Sequence, residues 1–416
     1  MSVNKNVPEI RFKGFSGEWE ECKLGDIATL SSGGTPSRKI SKYWNGKIPW
    51  ITTTLVDFNI INKAEEYITS EGLENSSAKV FPKNTLLMAM YGQGKTRGKT
   101  AVLGIDAATN QACAAIVLNQ KVNTSYVFQF LFGRYAEIRE LSNAGGQENL
   151  SSNLIKQIAI SLPLLKEQTA IGNTFQKLDN LINQHQQKHD KLSSIKKAML
   201  EKMFPKQGET APEIRFKGFS GEWEHFTIGY CSSLITKGTT PMTIGRSFVD
   251  SGISFVKVES VDEIGNISQS KFAYIDAETD QILARSRIKE NDLLISIAGA
   301  LGRAAIVKKE ILPANTNQAL AIVRLKNDSP VKVKFLYHFT KTKDFKDFVD
   351  ASASQGAQPN LSLGDISNVR ILAPKKEEQT AIGNYFQKLD NLINQHQQQI
   401  TKLNNIKQAC LSKMFV

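Results

Sequence analysis

Residues 8–20 read PEIRFKGFSGEWE, and the same thirteen residues stand again at 212–224. The segment EQTAIGNTFQKLDNLINQHQQ, 167–187, returns at 378–398 with one change, Thr174 to Tyr385. The chain is therefore a tandem duplication. Between these blocks, 21–166 and 225–377 have diverged until only scattered matches survive. Blocks kept identical point to identical partners, and diverged interiors point to different targets.

Working outward from the second block, Lys166 to Met203 holds no proline and only one glycine, Gly172. Its apolar residues step by four and three through Ile171, Phe175, Leu178, Ile182, Leu192, Ile195, Met199 and Met203. That spacing predicts a long amphipathic helix with a narrow seam. The second copy repeats it through Ile382, Phe386, Leu389, Ile393, Ile400, Leu403, Ile406, Cys410 and Met414. Each rod would be about 57 Å long at 1.5 Å per residue. A stripe of that length exceeds one lobe, so the two seams should pair, and antiparallel, with Phe415 near Pro8. One heptad inserted after both Gln187 and Gln398 should keep the seams nearly in phase and lengthen the pair by about 10 Å. His185 and His189 have the spacing of two metal ligands on one helical face. Their counterparts are His396 and Ile400, so one ligand is lost, and a polar seam layer is the better reading.

The expected architecture is α+β. Two mixed α/β domains, 1–165 and 206–376, are joined by long helices at 166–205 and 377–416. Runs such as IPWITT, NTLLMAM, ISFVKV and DLLISIAG read as strands, and TSYVFQFLFGRYAEIREL and VKFLYHFTKTKDFKDFV as one helix per lobe. Equal spacings match Leu24-Gly25 with Ile228-Gly229, Gly34-Thr35 with Gly238-Thr239, and Asn110-Gln111 with Asn317-Gln318.

No apolar run approaches the ~18 residues of a membrane span, and a cytoplasmic protein without a membrane partner is expected. Cys22, Cys113, Cys231 and Cys410 are scattered and form no CxxC pair, which argues against a disulfide framework or zinc site. The net charge of +12 and pI of about 9.3 favour a polyanionic partner.

The charge is concentrated in loops. GGTPSRKISKYWNGK, 33–47, carries Arg38, Lys39, Lys42 and Lys47 without an acid, and Tyr43 and Trp44 lie among them. Cations neutralise phosphates, while amides, hydroxyls and aromatic faces approach bases and sugars. YGQGKTRGKT, 91–100, adds Tyr91, Gln93, Lys95, Arg97 and Lys99 on a glycine-rich turn. Asn110, Gln111, Asn317 and Gln318 have amides able to read adenine edges or to hold a turn. In the second lobe the candidates are Lys237, Thr239, Thr240, Arg246, Lys257 and Arg303. Ala89 to Thr96 fits a relaxed phosphate-loop pattern, but RGKTAVLGID reads as a strand rather than the helix such a loop needs. The sequence lacks amino-methyltransferase, GxSxG and HExxH motifs and a nuclease carboxylate set. The rival readings are a coiled-coil scaffold that does not touch DNA and an NTPase using Lys95.

Gly17-Glu18-Trp19 through Leu24-Gly25-Asp26, then GGTPS…YWNGKIPW, and a long helix after Asn149, Pro163 and Glu167 (Asn360, Pro374 and Glu378 in the second copy) carry a family resemblance. Across its whole length the chain resembles the specificity subunit of type I restriction-modification systems. The second lobe departs from the pattern by lacking the Tyr-Trp pair and being less basic. The resemblance implies a non-catalytic subunit whose two target-recognition domains read the halves of an asymmetric double-stranded DNA site. It further implies docking of two modification (methyltransferase) subunits and, through them, restriction/translocase subunits. No cofactor would bind this chain; S-adenosylmethionine, ATP and Mg2+ would be used by the other subunits.

Overall fold

The computed structural model describes residues 6–92, 96–141, 149–353 and 360–416. Two units emerge: residues 1–186 with 397–416, and residues 187–396. Each unit therefore combines one lobe with the leading part of one long helix and the trailing part of the other.

In the first unit, Cys113–Leu118 lies between Ala28–Ser32 and Leu86–Ala89, and Thr100–Leu103 and Ile60–Ile61 complete a five-stranded sheet. Side chains alternate across its strands. Leu86, Met88, Ala114 and Ile116 face a core with Tyr126, Phe130 and Phe175, while Leu87, Ala89, Cys113 and Ala115 face Ile51 and Ile61. A second sheet runs Glu66–Ile68, Trp44–Ile51, Ala107–Thr109, Val80–Phe81, with its two inner strands parallel. The second unit repeats both. One sheet runs Ser232–Lys237, Leu320–Leu325, Leu293–Ser296, Ala304–Ile306; the other runs Ala273–Ile275, Ile253–Val256, Ala314–Thr316, Arg287–Ile288.

The expected pairing of Gly34-Thr35 with Gly238-Thr239 is off by one residue. Thr29 lies opposite Val117 and Ala28 opposite Leu118, whereas Leu234 lies opposite Arg324 and Ser232 opposite Leu325, which leaves Ser233 as an extra residue in a bulge. Beyond it Gly33 corresponds to Gly238 and Thr35 to Thr240. A Cβ on either glycine would lie 1.9 Å from a carbonyl oxygen, of Thr109 or Thr316 respectively.

The helix expected in each lobe is broken in two, Thr124–Gly133 with Tyr135–Glu140 and Val333–Phe339 with Lys343–Ala353. In the second lobe the hydroxyls of Thr340 and Thr342 donate to the carbonyls of Tyr337 and Phe339, competing with helix continuation.

The duplicated blocks interlock. Arg11 donates to both carboxylate oxygens of the buried Glu167 (2.6 and 2.7 Å) and to the carbonyl of Gly17, pinning the FKGFSGEW turn. Arg215 does the same with Glu378 (2.8 and 2.6 Å) and Gly221. Gln168 and Gln379 accept from the backbone N–H of Asn123 and Lys332 and donate to the carbonyls of Pro163 and Pro374. Identity of the blocks therefore has an internal cause as well as any external one.

The long helices span Leu165–Lys202 and Lys376–Met414. In the first unit Lys407 pairs with Asp179 at 2.7 Å, and Phe415 packs on Tyr126, Phe130 and Phe175. In the second unit Lys196 pairs with Asp390, and Phe204 packs on Phe335, Phe339 and Phe386. Both sets run antiparallel. The N–H of Ile10 donates to Lys413 O at 2.9 Å and that of Ile214 to Lys202 O at 2.8 Å, so the two block junctions match and Phe415 is near the first block.

Candidate nucleic-acid interface

In the first lobe three loops converge where Trp44–Ile51 ends. The N–H of Asn110 donates to Ile51 O, that of Gly34 to Thr109 O, and that of Met90 to Ala112 O. Thr35 Oγ1 donates to Gln111 Oε1 at 2.5 Å, and Asn110 Oδ1 accepts from the N–H of Ala112, so one amide holds each side of the turn. Gln111 itself is exposed, as is Tyr91 beside it. The second lobe builds the same knot: Thr240 Oγ1 donates to Gln318 Oε1, the N–H of Thr239 to Thr316 O, and that of Ile297 to Ala319 O. Leu150 and Leu361, from the two Asn-Leu-Ser stretches, donate their N–H groups to Met90 O and Ile297 O and tie the hairpins down.

The basic loop of the first lobe is built on tryptophan. Trp50 Nε1 donates to Gly34 O at 2.9 Å, Trp44 meets Trp50 edge to face, and the Arg38 guanidinium stacks 3.7 Å over Trp44. The acids missing from this stretch come from elsewhere. Arg38 pairs with Glu66, whose carboxyl is held below its ordinary range by that guanidinium, and Lys42 pairs with Glu71. Lys39 and Lys47 are exposed, but Tyr43 is buried against the helix Ser70–Glu74. In the second lobe Arg246 pairs with Glu278, the counterpart of Glu71 in its own short helix Ala277–Ile282. Exposed Met242 and Ile244 stand at the positions of Ser37 and Lys39, with Lys237 also exposed and Lys257 half-buried.

The glycine-rich hairpin divides the remaining candidates. Gln93 and Lys95 lie outside the described residues, and with them the middle of the phosphate-loop pattern. Thr96 to Lys99 turn directly into the strand Thr100–Leu103. Arg97 is only 9% exposed and donates to Arg139 O at 2.7 Å, so its guanidinium faces the lobe's own helix. Lys99 and Arg303 occupy equivalent positions, their carbonyls accepting from the N–H groups of Ala89 and Ser296, and their side chains pair with Asp57 and Glu263. Sequence reasoning missed these acidic partners, because they lie 28 to 42 residues from the cations they meet. It also missed the Thr35–Gln111 tie, for which two repeats with Thr and Gln in register were the available signal.

Among the described residues no group of three or more His, Cys, Asp or Glu could hold a metal ion. No helix among them is long and apolar enough to cross a membrane. His189 Nδ1 lies 2.9 Å from Asp190 Oδ1.

The fold and this paired arrangement agree with the comparisons. The model of the type I restriction modification DNA specificity domain matches residues 16–194 and again 221–405, and the chain belongs to that family. It is similar to the type I restriction enzyme MjaIX specificity subunit of Methanocaldococcus jannaschii, at 23% identity over 417 residues, covering 95% of this chain and 92% of that one. The EcoBI specificity subunit of Escherichia coli is 25% identical over 448 residues, covering 100% and 90%. The S subunit of the type I restriction-modification system from M. genitalium has a similar fold, with a TM-score of 0.64, 16% identity and 99% of both chains covered.

Proposed function

We propose that this chain is the non-catalytic subunit that gives a type I restriction-modification complex its sequence specificity, with each lobe reading one half of an asymmetric, bipartite double-stranded DNA site. The observation that carries this is the shared Thr–Gln knot with different surroundings. In one lobe the knot is flanked by stacked Arg38, Trp44 and Trp50; in the other it is flanked by Met242, Ile244 and an Arg246–Glu278 pair. A constant scaffold with different side chains suits two different half-sites, because base edges are discriminated by the donors, acceptors and apolar groups presented to them. The exposed cations Lys39, Lys47 and Lys237 would supply salt-dependent phosphate contacts. Arg38, Lys42, Lys99, Arg246 and Arg303 would exchange a carboxylate partner for a phosphate.

The duplicated blocks would hold two modification subunits, and restriction subunits would join through them. S-adenosylmethionine, ATP and Mg2+ would be bound by those subunits. Exchanging residues 21–166 for the equivalent segment of a relative, then mapping methylated bases in a host carrying the complex, tests the reading. One half-site should change and the other stay. A change in both would show that the lobes share one reading surface.

A further inference from the structure

At the other end of the second lobe's larger sheet is a groove of about 760 Å3, lined by Lys289, Arg324, Lys326, Lys332, Lys334 and Lys376. Its carboxylates are Glu290 and Asp292, and Asp292 is already held by both donors of Arg324 at 2.7 Å. The five lysines are exposed, and among the described residues none has a carboxylate at ion-pair distance. Lys332 Nζ and Lys334 Nζ rest on the neutral side chains of Thr380 and Gln387, and Lys376 Nζ on a backbone carbonyl. Leu325, Val331 and Val333 add an apolar floor.

Among the described residues of the first unit, the corresponding positions carry none of these six cations. Matching hydrogen bonds, from Asn123 N and Lys332 N to the paired glutamines and from Asn119 N and Lys326 N to Ile27 O and Cys231 O, set the equivalences. The six cations then fall on Pro82, Val117, Asn119, Asn123, Ser125 and Leu165.

We propose that this groove receives an acidic polypeptide segment of a partner, and that the contact belongs to the second unit alone. Unpaired cations gathered over a concave, partly apolar floor favour a peptide carrying carboxylates. Strands of four to six residues separate the groove from the Asn317-Gln318 turn, which is about 13–20 Å at 3.3 Å per residue. Duplex DNA is read by protein elements that project into its grooves, whereas here the protein is the concave partner.

The test uses the full chain and a fluorescein-labelled twelve-residue polyglutamate probe, with polyglutamine as control, followed by anisotropy. The triple variant Lys289→Glu, Lys326→Glu, Lys376→Glu should lose at least about tenfold in polyglutamate affinity while random-sequence duplex binding stays within about twofold. Glutamate at Asn119, Ser125 and Leu165 should change polyglutamate binding by less than twofold. Hydrogen exchange on the unmodified chain gives a readout that no variant's folding can spoil: the probe should protect 324–334 and 376–384, leaving 117–125 unaffected. Loss of duplex binding with polyglutamate affinity retained would make the groove a DNA-backbone track and overturn the proposal. Equal protection in both units, or in neither, would overturn it as well.

Discussion

Arg11 and Arg215 each close a turn and satisfy a buried glutamate, so their cost of removal should be that of stranding a buried charge. Arg11→Met should destabilise the first unit by about 3–5 kcal/mol, and Arg215→Met the second by a similar amount. Urea unfolding followed by hydrogen exchange in each unit checks this, and the double change Arg11→Met with Glu167→Leu should recover part of the loss. A second residue-scale difference separates the units. His338 is buried among Phe386, Tyr337, Lys196, Lys341 and Lys334, and burial, aided by the lysines, pushes its pKa down from 6.5 to about 3. Above pH 6.5 the imidazole is neutral folded or unfolded, so no proton is linked to folding. As pH falls from 6.5 towards 3 the unfolded chain takes up a proton that the fold refuses, and stability falls by up to about 1.4 kcal/mol per pH unit. Gln129 holds the equivalent place in the first unit. Amides of Val333–Phe339 should therefore lose protection between pH 6.5 and 4.5 relative to those of Thr124–Gly133, and His338→Gln should remove the difference.

Among the elements, the long helices were legible because a seam stepping by four and three over ten turns has no other explanation. Their ion pairs were less so, since Asp179 and Lys407 become neighbours only when two distant helices meet. Asp179→Lys should cost at least about 1–2 kcal/mol, between the surface and buried limits for a pair whose lysine is buried and whose aspartate is partly exposed. Adding Lys407→Asp should restore most of it, and the Lys196–Asp390 counterpart should respond only in the second unit. The lobe strands were also legible from alternation and flanking turns. The broken helices and the bulge at Ser233 were not. Hydroxyl donation to a helix carbonyl and an extra residue in a ladder are choices made by packing and pairing, and neither alters the local apolar pattern.

At the scale of the whole molecule, each unit is closed by an aromatic from the far end of a long helix. Phe204 is 5% exposed and packs on four rings, those of Trp223, Phe335, Phe339 and Phe386, whereas Phe415 is only half-buried and packs on three. Phe204→Ala should cost about 3–5 kcal/mol in the second unit. Phe415→Ala should cost less in the first, because less apolar area is withdrawn from water, and thermal unfolding resolved by unit would show the order. The sequence alone determined the duplication, the two long helices and the mixed lobes, since repeats and apolar periodicity are local and survive without knowledge of contacts. It also marked the basic loops as a candidate surface. Tertiary structure alone decided which cations are engaged. Glu66, Glu71, Asp57 and Glu278 reach Arg38, Lys42, Lys99 and Arg246 only after the strands between them have paired, and whether a charge is free depends on what folding brings within a few ångströms of it.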